Sequence, residues 1–267
     1  MKTIICKLNE PHGKQGVESF DWGQIEYIFK SIIIIKSENE EVLGWFLDGV
    51  PAEFDELNFL STIPNDTLFD LQWQHNSETF KSNKTADWWT NIGTQNVSEK
   101  AICIIDTGVA SHSDLNSNRI QLNVNGQLVY ALTITSTGMK YHTSLSDTTQ
   151  YCYPHGTHVA GIAAGVGNNG IGIAGAYWRN KIFSINVFEW VQTFFGRQLG
   201  AYNSSILSAL SIVASLPEIR CVNMSLGGGY SKTIYEAFRE AFEELETSEQ
   251  FVVCAAGNSG LDISTHK

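Results

Sequence analysis

Ala101-Ile102-Cys103-Ile104-Ile105-Asp106-Thr107-Gly108 is the stretch on which the fold turns. Its apolar run leaves no polar face, so a strand here is buried on both sides, and it ends abruptly in a carboxylate, a hydroxyl and a glycine. Short apolar strands of the same kind recur at Lys181–Val187, Arg220–Met224 and Phe251–Ala255. Between them, His158–Val166, Ser205–Leu216 and Thr233–Leu245 space their apolar residues as helices do. Doubly apolar strands alternating with helices predict an α/β fold, a mostly parallel sheet with helices on both faces. In such a sheet, ligands gather beyond the carboxyl ends of the strands.

Composition sets the outer bounds. Of 267 residues 43% are hydrophobic, which supplies a sizeable core and argues against global disorder. The longest aliphatic run, Ile32 to Ile35, is far too short for a membrane span. A net charge of −11 argues against a nucleic-acid backbone or an anionic membrane as partner. Only 17% of residues are charged and 23 are glycine, which suits an enzyme with tight loops rather than a coiled coil or an acidic tail. The five cysteines, Cys6, Cys103, Cys152, Cys221 and Cys254, cannot pair completely, and no two have metal-ligand spacing. Cys103, Cys221 and Cys254 lie in apolar runs and read as buried free thiols. Met1 to Leu8 is no secretory h-region, and with the thiols it predicts a cytoplasmic protein.

The first sixty residues read as a separate α+β unit. Thr3–Leu8, Ser31–Lys36 and Val42–Leu47 pattern as strands, Val17–Lys30 as a helix, and Pro51 as the start of another helix carrying Phe54, Leu57 and Leu60. The predicted order is β-α-β-β-α. After Pro64 a polar arm runs to Gln95 with Trp73, Trp88 and Trp89, so the division is residues 1–62 and residues 63–267. The long stretch between Asp106 and His155 predicts an enlarged surface hairpin over Leu122–Gln150.

Four motifs carry chemistry, each with a plainer alternative. Asp106-Thr107-Gly108 places a carboxylate where it can orient another side chain, or merely opens a turn. His155-Gly156-Thr157-His158-Val159-Ala160-Gly161 sets a His just before an Ala-rich helix; two His three apart also suggest a metal pair, but nothing at helical spacing completes one. Asn223-Met224-Ser225-Leu226-Gly227-Gly228-Gly229 is glycine-rich backbone at a strand end. It lacks the spacing and Lys of a phosphate loop and is free to pair with an extended peptide. Ala255-Ala256-Gly257-Asn258-Ser259-Gly260 delivers an uncharged hydrogen-bond donor to the same region, or holds an Asn in a left-handed turn.

Together, in this order, the motifs resemble the subtilisin-like serine proteases, the subtilases, from roughly Asn65 onward. Asn65-Asp66, Gln72-Trp73 and the Trp89 to Gly93 stretch are similar to the start of their mature domains. The resemblance implies that Asp106 is the triad aspartate, His155 the general base and Asn258 the oxyanion donor. It implies that Ser225, Leu226 and Gly227 pair with the substrate backbone, and that Gly228 and Gly257 line the cleft. Ser225 is then not the nucleophile, and His158 only supports the site. Subtilases carry their nucleophile in a Gly-Thr-Ser-x-Ala motif well beyond the oxyanion Asn, and no Gly-Thr-Ser occurs in this sequence. The expectation is a serine endopeptidase acting on peptide or protein substrates, truncated before its serine and inactive as it stands. The alternatives are a non-catalytic peptide-binding pseudoprotease, or a peptide-maturing transpeptidase on the same fold.

Two smaller resemblances follow. Gly167-Asn168-Asn169-Gly170-Ile171-Gly172-Ile173 is similar to the family's calcium loop. Asp114, the Asn169 amide oxygen and the carbonyls of Ile171 and Ile173 would supply the hard oxygen ligands that calcium prefers, while the plainer reading is an Asn-Gly turn. No organic cofactor is implied. Residues 1–62 resemble the subtilase propeptide by length, position and element order, implying an intramolecular inhibitor; a fused module of unrelated role is the alternative.

Overall fold

The computed structural model describes residues 3–6, 32–36, 42–47, 50–51, 64–72, 75, 100–149, 153–178, 180–194, 196–229 and 231–258. The chain divides into two compact units, Met1–Thr62 and Ile63–Lys267.

In the first unit, β1 (Thr3–Cys6), β2 (Ile32–Lys36), β3 (Val42–Leu47) and β4 (Val50–Pro51) form an antiparallel sheet in sequence order. The expected helix over Val17–Lys30 lies outside the described residues. Pro51 itself lies in β4, and the expected helix with Phe54, Leu57 and Leu60 lies outside the described residues. Pro51 pairs with Phe46 as Val50 pairs with Leu47. Proline donates no hydrogen bond and is tolerated at such a sheet edge.

The second unit is built on the predicted sheet. Its six strands run in the order β14-β13-β5-β10-β8-β9. β5 (Ala101–Asp106) is central and lies parallel to β10 (Lys181–Asn186) and β13 (Ile219–Met224). β14 (Phe251–Cys254) adds parallel to β13, and β8 (Ala131–Thr135) parallel to β10. Only β9 (Gly138–His142) runs antiparallel.

The double burial read from β5 has a direct physical origin. Successive side chains alternate faces. Cys103 and Ile105 enter a core with Phe183, Ile185 and Val222, covered by Ile206, Ala209, Leu210 and Val213 of α3 (Asn203–Ala214) and Leu245 of α4 (Lys232–Thr247). Ile104 enters another core with Ile182, covered by Ala160 and Ala164 of α2 (Pro154–Ala164). Each such side chain contributes about 1.5–3 kcal/mol of burial, so neither face of the strand tolerates a charge.

Three elements depart from expectation. First, α2 begins at Pro154, not His158, because proline's fixed φ suits the first helical turn, and His155 therefore sits inside that turn. Second, Leu122–Gln150 is not a surface hairpin. β6 (Leu122–Val124) pairs with β7 (Gln127–Val129), but β8 joins the central sheet and buries Ala131, Leu132 and Ile134, ahead of a short α1 (Leu145–Thr149). Third, an unpredicted antiparallel hairpin, β11 (Phe188–Thr193) and β12 (Gly196–Ala201), follows β10 directly. Among the described residues, no helix is long and apolar enough to cross a membrane.

Candidate active site

Asp106 is the last residue of β5, and its side chain is 1% exposed. Its Oδ1 lies 2.7 Å from Nδ1 of His155. A carboxylate can only accept, so Nδ1 carries a proton, and in the neutral tautomer this selects, Nε2 keeps the lone pair. The imidazole is 56% exposed, so the ring is anchored on its Nδ1 side and open to solvent elsewhere. Oδ1 also accepts the Thr107 N–H at 2.6 Å, while Oδ2 is buried without a protein partner.

The strand end and the helix start are stapled together by local chemistry. The Thr107 hydroxyl accepts the Gly156 N–H at 2.9 Å and donates to the Tyr153 carbonyl at 3.2 Å. Tyr153 N–H returns a bond to the Thr107 carbonyl at 3.1 Å, and the Thr157 hydroxyl accepts the Ala110 N–H at 3.0 Å. The strands meet the helix so closely that a Cβ on Gly156 would lie 3.1 Å from Asp106 Oδ1 and still nearer the Gly108 carbonyl. Glycine at 156 is thus a requirement of close approach. His158, three residues on, faces elsewhere. It lines a cavity of about 440 Å³ with His112, Asp114, Tyr153 and Thr157.

The other predicted residues follow β13 and β14. Asn223 pairs with Ile104 on one side and Val253 on the other, so Ser225, Asp106 and Ala255 all lie two residues beyond one row of the sheet. The parallel topology therefore gathers Asp106, the Ser225–Gly229 segment and Gly257-Asn258 at one edge of the sheet. Ser225 and Leu226 are half-buried, with the Ser225 hydroxyl accepting from Asn223 Nδ2 at 3.0 Å; Gly227, Gly228 and Asn258 are exposed. The left-handed residue of the Ala255–Gly260 motif is Gly257, at φ 89°, and Asn258 is not among the positive-φ residues.

The loop after α2 encloses a second cluster. Asp114 is 3% exposed, its Oδ1 accepting from Asn169 Nδ2 at 2.9 Å and its Oδ2 from the Ile173 N–H at 2.9 Å. Asp66, which the sequence reading did not single out as a ligand, is 5% exposed beside the same loop. Its Oδ2 accepts the Asn168 N–H at 2.6 Å, and its Oδ1 is buried without a partner. Burial foremost, with the Asp114 charge adding to it, pushes the Asp66 carboxyl above the usual carboxylate range. Gly172, at φ 59°, lies so close to Asp114 Oδ2 that no Cβ fits. The only sequence trace of this link was Asn65-Asp66, and Asn65 Oδ1 likewise accepts the Gly170 N–H at 2.8 Å. Among the described residues, no three His, Cys, Asp or Glu side chains converge as a metal cluster, so any ion here depends on amide and carbonyl oxygens as well.

The sequence is similar to known proteins over most of its length. An extracellular protease of Xanthomonas campestris pv. campestris is 28% identical over 238 residues, covering 80% of this chain and 38% of that protein. The extracellular basic protease of Dichelobacter nodosus is 27% identical over 241 residues, covering 80% of this chain and 37% of that protein. Among solved structures, a protease of Pseudoalteromonas arctica matches with a TM-score of 0.51 at 27% identity, over 73% of this chain and 59% of that one. The chain thus spans less than half the length of these two curated relatives.

Both curated relatives are extracellular by name, which points to secretion and overturns the cytoplasmic expectation. The cysteines misled for a physical reason. Cys103 is fully buried, and burial pushes its thiol far up, so it is inert in any redox environment and reports on none. Cys254, expected to be buried, is exposed on β14. Residues 98–267 match the model of one family of peptidases, whose substrates are peptides or proteins, and that match extends from just before β5 across the whole Asp106–His155 framework: the chain belongs to the subtilase family, peptidase family S8.

Proposed function

We propose that this chain supplies the orienting, proton-transferring and oxyanion-binding parts of a secreted serine endopeptidase. The 2.7 Å pairing of buried Asp106 with His155 carries the reading. In the proposed reaction His155 Nε2 takes the proton of a serine hydroxyl as its oxygen attacks the scissile carbonyl, then returns it to the departing amine. Asp106 holds the tautomer and stabilises the imidazolium. Asn258 donates to the oxyanion, and Ser225–Gly228 with Gly257 receive the extended peptide. The serine belongs to a Gly-Thr-Ser segment outside these 267 residues, so the chain alone is inactive.

The assignment between the two histidines is testable in a form of the protein that includes that segment and hydrolyses casein. His155→Ala lowers kcat/KM by at least roughly 10⁴-fold, whereas His158→Ala costs less than about tenfold. Equal losses in two folded variants would contradict the assignment of the base.

We also propose a structural calcium ion held by Asp66, Asp114, the Asn169 amide oxygen and the carbonyls of Ile171 and Ile173. The donor set is entirely oxygen, and the orphaned Asp66 Oδ1 beside a second buried carboxylate is the arrangement a hard cation relieves. Calcium at a hundredfold excess over Kd stabilises by about 2.7 kcal/mol, a rise in Tm of roughly 5–10 °C that a chelator reverses. Asp66→Ala and Asp114→Ala should abolish this calcium-dependent shift. A parent protein whose Tm ignores both calcium and chelator would refute the site.

Residues 1–62 are proposed as an intramolecular inhibitor. The support is their compactness as a unit with an antiparallel sheet, their position ahead of the protease unit, and their likeness to a propeptide. Tethering raises the effective concentration of such a unit to the order of millimolar, so weak affinity suffices. Added as a folded fragment to active enzyme lacking them, residues 1–62 should inhibit competitively. Full activity at high micromolar fragment would rule the role out.

A further inference from the structure

Asn-Gly occurs twice in the sequence, at Asn125-Gly126 and Asn169-Gly170. Such a pair carries a latent reaction of its own. When the glycine N–H loses its proton to solvent, the nitrogen can attack Cγ of the preceding asparagine. The new N–Cγ bond closes a succinimide ring, and the side-chain nitrogen takes up a proton and leaves as ammonia. Water then opens the ring at either carbonyl, giving aspartate or isoaspartate. Glycine favours the attack because it has no side chain to crowd the closing ring and has the freest backbone of any residue.

Both glycines are exposed, yet in both pairs the attacking nitrogen is tied. Asn125 (φ 51°) and Gly126 (φ 83°) form the turn between β6 and β7. The Gly126 N–H donates to Asn123 Oδ1 at 2.9 Å, and Asn125 Nδ2 donates to the Tyr141 hydroxyl at 3.1 Å. In the loop after α2 the Gly170 N–H donates to Asn65 Oδ1 at 2.8 Å, and Asn169 Nδ2 donates to Asp114 Oδ1 at 2.9 Å. At each site a second asparagine thus accepts the very proton that must depart, and the nitrogen that must leave is itself a donor. A hydrogen bond to the N–H stabilises its protonated form, so that bond must break before the nitrogen attacks.

The two guards differ in range. Asn123 stands three residues from Gly126, within one hairpin. Asn65 stands 105 residues from Gly170 and belongs to a longer seam, where the Asn168 and Gly172 N–H groups donate to Asp66 Oδ2 at 2.6 Å and to the Thr67 hydroxyl at 3.2 Å. The consequences differ as well. At position 125 the reaction alters a solvated turn. At position 169 it removes a donor from Asp114, and isoaspartate adds a methylene to the backbone of a loop so tight that Gly172 admits no Cβ. That loop follows the helix whose first turn bears His155.

We propose that Asn125 and Asn169 are deamidation sites that the folded protein keeps closed through Asn123 and Asn65, and that isoaspartate at position 169 is the lesion that damages the fold. The test ages the 267-residue protein at mildly alkaline pH and follows each asparagine by peptide mass mapping, with aspartate and isoaspartate forms separated by chromatography. In the native protein both sites convert at least about tenfold more slowly than in urea. Asn65→Ala raises the native rate at Asn169 by about three- to tenfold and leaves Asn125 unchanged, and Asn123→Ala does the reverse. Asn65→Asp and Asn123→Asp keep an accepting oxygen and stay within about twofold of the parent. Asn65 and Asn123 are exposed, so all four variants should melt within a few degrees of the parent. Native rates equal to those in urea, or unchanged by either alanine variant, overturn the proposal. A rise at both sites from one alanine variant also overturns it, because general loosening and not the named bond then sets the rate. Protein carrying isoaspartate in place of Asn169 melts below protein carrying it only in place of Asn125, and an equal or higher Tm refutes the assignment of the damage.

Discussion

A carboxylate taken out of water at the end of a central strand must be hydrogen-bonded or the fold pays several kcal/mol. Asp106 meets that demand with two donors on one oxygen, the Thr107 N–H and the His155 Nδ1–H. Much of the surrounding architecture follows from bringing the second donor within reach. The helix start must come so close that position 156 admits no side chain, and the Thr107 hydroxyl must bind both the Gly156 N–H and the Tyr153 carbonyl. The exposed base is thus fixed through its buried partner.

The same helix is held at its other end. The Val166 N–H after α2 donates to the Asp114 carbonyl, and the Asp114 carboxylate accepts from Asn169 and Ile173 in the following loop. Its inner face is small, with Ala160, Gly161 and Ala164 buried, so the helix packs close to the sheet. A change in the Asp66–Asp114 cluster therefore acts on a rigid element whose first turn bears His155. The link between the two clusters is short and made of backbone.

The central strands, the three long helices and the Asp106 and His155 motifs were legible in the sequence because each is a local pattern: a doubly apolar run, a helical period, a strand end marked by glycine. What escaped was tertiary. β8 mixes Ala131, Leu132 and Ile134 with threonines and reads as half-exposed, yet its pairing with β10 buries it. In the 188–201 hairpin Trp190 and Phe194 face solvent, so hydrophobicity along the segment does not alternate inside and outside as in a half-buried strand. Asp66 lies 102 residues from Asn168, whose N–H it accepts, a distance across which no spacing rule operates. Pro154 was a readable helix start, and weighing it would have put His155 inside the first turn.

The central claim is that Asp106 fixes the protonation geometry of His155, and histidine-selective ¹⁵N NMR of the 267-residue protein reads it without requiring catalysis. At alkaline pH, with the ring neutral, the account predicts that His155 bears its proton on Nδ1, in a hydrogen bond whose signature disappears in Asp106→Asn. A His155 ring protonated on Nε2 in the parent protein, or a spectrum unchanged by Asp106→Asn, would contradict it.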